Sequence, residues 1–91
     1  MLILRVEHRV PDFLAWKKLF DSDPTGRERS GVRRYRIFRS MDDPNFVMVD
    51  LEFDSVNKAE AFRAALRNLW GRVAVENPEA RMVEAVESKE Y

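Results

Sequence analysis

The hydrophobic periods along this chain predict an α+β domain built from two strand–helix–strand half-units. Apolar residues alternate along Leu2–Val10, Val32–Ser40 and Phe46–Asp54, the period of a strand with one buried face. They recur at helical spacing through Phe13, Trp16, Leu19 and Phe20, and again across Val56–Trp70. A last strand-like run lies near Ala80–Glu87. The order β-α-β-β-α-β is the split βαβ, or ferredoxin-like, arrangement with a four-stranded antiparallel sheet. Two helices cover one face of such a sheet, so the other face calls for a partner or a ligand.

Each element has its local reason. In the first strand Leu2, Leu4, Val6, His8 and Val10 share one face, and Ile3, Arg5, Glu7 and Arg9 the other. Pro11 stops the strand, and Asp12 is placed to cap the helix Asp12–Asp21 by accepting from the free amides of its first turn. The polar stretch Ser22–Ser30 reads as a loop with one helical turn, closed by Gly31 in a left-handed conformation. Arg33, Arg34, Arg36 and Arg39 crowd the second strand, a load of cations suited to a sheet edge. The run Ser40-Met41-Asp42-Asp43-Pro44-Asn45 is a turn. On the third strand Val47, Val49, Leu51 and Phe53 share one face; Phe46, Met48, Asp50 and Glu52 share the other. Asp54 or Ser55 caps the second helix, whose buried stripe is Ala59, Phe62, Leu66, Leu69 and Val73. Gly71 marks the end of that helix, and Pro78 separates the connector from the last strand.

Composition narrows the function classes. A chain of 91 residues makes one domain, spanning 1–91. Sixteen basic and sixteen acidic side chains cancel, so neither nucleic acid nor an anionic membrane finds an electrostatic footprint. The absence of cysteine removes disulfides, thiolate metal sites and cysteine nucleophiles. Leu2-Ile3-Leu4 is broken at once by Arg5, unlike a signal peptide, and a cytoplasmic protein is the expectation. Gly26, Gly31 and Gly71 are scattered and form no phosphate loop or dinucleotide fingerprint. One histidine without a carboxylate cluster at ligand spacing predicts no metal, and no cofactor is expected.

Few residues remain to carry chemistry. His8 is the one histidine, on the apolar face of a central strand. In a dry pocket it would act as a general acid or base; packed in the core it would be a structural residue with one hydrogen bond. Asp50 and Glu52 are candidates to orient it, against the plainer reading of cross-strand ion pairs with Arg5, Glu7 and Arg9. Tyr35, with Arg34 and Arg36 beside it, could hold an anionic or phenolic ligand, or the arginines could be solvated edge charge. Trp16 and Trp70 fit the helical stripes, and Trp70 before Gly71 could also close a pocket mouth.

The run Val6-Glu7-His8-Arg9-Val10-Pro11-Asp12-Phe13, followed by Trp16-Lys17-Lys18-Leu19-Phe20-Asp21, resembles small bacterial proteins of the dimeric α/β-barrel superfamily. The hairpin Phe38–Asn45, the segment Leu51–Ser55 and a proline before a strand with an acidic tail are similar to theirs too. Such proteins carry cyclase-like or antibiotic-biosynthesis-monooxygenase-like labels. The resemblance implies a homodimer whose two sheets meet face to face, with ligand pockets between sheet and helices or within the barrel. Cyclase-type members place several histidines in the pocket, one of them on the first strand, and His8 matches that single position alone. Haem-degrading members use a first-strand asparagine and a later histidine, and this chain has neither. The resulting expectation is a cofactor-independent enzyme for a small aromatic or polyketide-like molecule. In it His8 moves a proton, Asp50 or Glu52 orients His8, and Tyr35 and Arg36 fix the substrate. The alternatives are a non-catalytic small-molecule-binding dimer and a protein-interaction dimer.

Overall fold

The computed structural model describes residues 2–91. Its elements are β1 (Leu2–Arg9), α1 (Phe13–Asp21), β2 (Val32–Arg39), β3 (Phe46–Phe53), α2 (Val56–Trp70) and β4 (Glu76–Glu84). The sheet runs β2-β3-β1-β4 with every neighbouring pair antiparallel, which makes this a ferredoxin-like α+β fold. The arginine-rich β2 takes an edge, as its charge predicts. Leu4, Val6, Val47, Val49, Leu51 and Phe53 form the core with Ala59 and Phe62 of α2. Both helices lie over that face of the sheet; the other face carries none.

The caps work as the sequence predicts. Asp12 accepts from the Ala15 amide at 3.0 Å, and Ser55, rather than Asp54, accepts from the Lys58 amide at 3.3 Å. Gly31 takes φ +102°, and a β-carbon there would meet Lys58 Cδ at 2.7 Å. The corner after β1 is pinned twice. Val10 donates to the Asn45 carbonyl at 2.8 Å, and Asn45 Oδ1 accepts from the Phe13 amide at 3.1 Å.

One element departs from expectation. The last strand starts at Glu76, ends at Glu84 and contains Pro78, which the sequence places before it. The reason is a β-bulge. Glu7 pairs with Glu79 but Arg9 with Glu76, so Asn77 and Pro78 together stand opposite His8. Asn77 takes φ 49°, and Pro78 sits where an edge-strand bulge demands no ladder amide. Among the described residues no helix is long and apolar enough to cross a membrane.

Candidate functional site

Strand alternation turns His8 inward beneath the helices, where it is 4% exposed. Its ring meets two indoles: Trp16 of α1 with centroids 5.8 Å apart, and Trp70 at the end of α2 at 6.1 Å. Both contacts are T-shaped, the geometry that aromatic quadrupoles favour. Burial pushes the His8 pKa below its ordinary value, and backbone groups of Arg9 and His8 itself oppose this only in part. Burial thus favours the neutral imidazole. Its Nδ1 is buried without a hydrogen-bond partner. A buried polar atom left unpaired is uncommon enough to require an explanation.

His8 lines a cavity between the sheet and the two helices. Trp16, Phe20, Phe62, Leu66 and Trp70 line it from the helices, and Val6, Val49 and Leu51 from the sheet. The atom-free space is about 560 Å³ including its solvent-open mouth, of which about 60 Å³ can hold the centres of water molecules. That is room for a few waters, in a wall that offers them few polar partners. No residue of α1 is fully buried: Phe13, Trp16 and Phe20 pack against the core in part, and Trp16, Leu19 and Phe20 border the cavity.

The remaining polar lining comes from the α1–β2 loop, chiefly Thr25 and Arg27. Arg27 Nη1 donates to the Phe20 carbonyl at 2.8 Å, and its Cζ lies 3.8 Å from the centroid of the Phe20 ring and 5.1 Å from that of Tyr35. Nothing in the sequence singles out Arg27, one of sixteen basic residues and set in a polar loop. Only the chain's return across α1 brings it to the cavity.

The other expected site residues divide between the two faces. Trp16 and Trp70 join His8. Asp50 and Glu52 do not, because their strand positions turn them to the helix-free face, so neither orients His8. Arg5 grips Asp50 with two hydrogen bonds of 2.8 and 2.9 Å, and Glu52 lies 3.7 Å from Arg34. Cross-strand ion pairing, the plainer reading, describes both carboxylates. Tyr35 and Arg36, as neighbours on one strand, point to opposite faces and cannot hold one ligand together. Tyr35 packs edge-on against Phe20 at 5.0 Å, whereas Arg36 lies over Phe38 on the open face. Among the described residues no three histidine or carboxylate side chains gather as metal ligands.

No protein-family model matches this chain, and no curated protein matches its sequence. Solved structures do match its shape along almost all of its length. A variant of SnoaB, a cofactor-independent oxygenase from Streptomyces nogalater, superposes with a TM-score of 0.74 at 12% identity, covering 96% of this chain and 94% of that one. A protein provisionally assigned as an antibiotic biosynthesis monooxygenase from Deinococcus radiodurans gives 0.70 at 13%, covering 100% and 98%. A dimeric ferredoxin-like protein from an uncultured marine organism gives 0.68 at 9%, with full coverage of both chains. The chain thus shares its fold with antibiotic-biosynthesis-monooxygenase-like proteins among these solved structures. At these identities the likeness is one of fold.

Proposed function

We propose that this chain is a cofactor-independent oxygenase acting on a small, flat aromatic or polyketide-like molecule, with His8 as its acid–base group. The observation that carries the reading is the unpartnered His8 Nδ1, buried between two indoles on the wall of an apolar cavity. A neutral imidazole can accept a proton, and one with a lowered pKa is a modest base, which suits an acidic carbon or hydroxyl. An aromatic substrate deprotonated in such a pocket is electron-rich enough to react with dioxygen itself. In balanced form an activated CH₂ becomes C=O, one oxygen atom of dioxygen is kept and the other leaves as water. The protein supplies position, a dry wall and the base; Trp16 and Trp70 hold the ring plane. The fold shared with a cofactor-independent oxygenase supports this choice. A cyclase would share the base and the cavity but consume no dioxygen.

Dioxygen uptake with an anthrone as substrate tests the proposal. The wild-type protein should accelerate uptake, and His8→Gln should reduce the rate by about 10²–10⁴-fold, the usual worth of one acid–base group. Uptake that is unchanged in a folded His8→Gln protein would refute the role of His8. Ring closure without uptake would favour the cyclase.

We propose, too, that the helix-free sheet face pairs with a second copy of the chain. That face alternates Ile3, Phe38, Met48 and Val83 with charges already paired in one protomer, such as Arg5–Asp50. A dimeric protein of the same fold supports this assembly.

A further inference from the structure

We infer that the ligand of the His8 cavity carries an anionic group, and that Arg27 binds it at the cavity's rim. The inference deepens the proposal above and rests on that cavity being the ligand site. Arg27 contributes to two surfaces at once. It lines the apolar cavity on one side, and on the other a polar groove of mixed charge shared with Asp23, Glu28, Arg33, Arg34 and Tyr35. Its side chain is only 14% exposed, so the cation stands where apolar wall gives way to polar surface. No other lysine or arginine lines the cavity among the described residues.

The guanidinium is held but not used up. One of its five N–H donors goes to the Phe20 carbonyl, and its Cζ lies over the Phe20 ring. Its countercharge is weak. Asp23 Oδ1 lies 3.5 Å from Nη1, already accepts the Arg27 backbone amide at 2.9 Å, and belongs to a partly solvated side chain. A fork of free donors, fixed in place and shielded on one side, suits a carboxylate or sulfonate and would hold it bidentately. The apolar body of the same ligand would extend inward between Trp16 and Trp70 toward His8. Arg27 would then select aromatic acids over their neutral analogues and fix which end of the molecule reaches the imidazole.

Two fluorescent dyes with one skeleton test this: anilinonaphthalene sulfonate, which is anionic, and phenylnaphthylamine, which is neutral. The wild-type protein should bind the sulfonate about tenfold more tightly, as expected of one charge-assisted contact. Added salt should weaken the sulfonate and leave the neutral dye unchanged. Arg27→Gln should abolish the preference while changing phenylnaphthylamine affinity by less than about twofold, and Arg27→Lys should keep part of it. Equal affinities in wild type, or equal losses of both dyes in Arg27→Gln, would overturn the inference and leave the cavity intact as a site. Failure of both dyes to bind would overturn the inference and the cavity together. A sulfonate preference alongside unaltered turnover in His8→Gln would uphold Arg27 and refute only the proposed chemistry.

Discussion

His8 combines two properties that seldom coincide in a structural residue: an apolar surround that lowers its pKa, and a ring nitrogen with no partner. The first has a consequence for stability. Because the folded value lies below the ordinary one of about 6.5, the unfolded chain takes up the proton more readily as the medium is acidified. The stability gained by keeping the ring neutral is fully present above about pH 6.5, and is lost as pH falls from there toward the folded value. Denaturant midpoints at pH 7.5 and pH 5 should therefore differ more in wild type than in His8→Gln. Equal pH dependence in the two proteins would show that burial does not tune His8. Removing volume has a separate effect. Trp70→Ala strips one wall from an already open cavity, so it should weaken aromatic binding at least tenfold, while costing less than the 3–5 kcal/mol typical of a fully packed core aromatic. Tryptophan fluorescence and a melt measure both.

At the scale of elements, alternation and caps made most of the fold legible. The boundaries of α2 follow from Ser55 and Gly71, and the inward sets of β1 and β3 from simple period-2 counting. What the sequence hides is the bulge. Nothing before Pro78 signals a strand, since a proline normally excludes a ladder position, and only the edge location and the positive φ of Asn77 reconcile them. That irregularity matters, because it falls opposite His8 and distinguishes this stretch of β1 from an ordinary ladder. Gly31 offers a check of the other loop–strand junction. Gly31→Ala should destabilise the fold by about 1–2 kcal/mol through its φ of +102°. Trimming the neighbouring side chain with Lys58→Ala should not restore it, because the strain is in the backbone. Full rescue would mean the contact with Lys58, and not φ, sets the cost.

For the whole molecule, the two faces of the sheet divide the labour. One face, under the helices, holds the cavity and His8; the other holds the Arg5–Asp50 pair and the exposed Phe38. Alternation puts Asp50 and His8 on opposite faces, so an acid–histidine pair cannot form between them, and it separates Tyr35 from Arg36 in the same way. Trp16 and Trp70 were legible as inward residues, but their meeting around His8 depends on how α1 and α2 cross the sheet, which no local pattern encodes. If the open face pairs with its twin, sedimentation at micromolar concentration should give twice the chain mass. Met48→Asp, placing a charge between Glu7 and Phe38, should then shift the protein to monomer without unfolding it. A wild-type monomer would remove the dimer from the account and leave the cavity untouched.

His8 borders the cavity with a buried imidazole whose Nδ1 has no partner. Because His8 is the chain's one histidine, a ¹⁵N titration of its imidazole observes that group alone. The midpoint should lie below 6.5, and the ring-nitrogen shifts should move when an aromatic acid such as hydroxynaphthoate is added. A midpoint at or above 6.5 with shifts indifferent to the ligand would contradict the proposed role of His8.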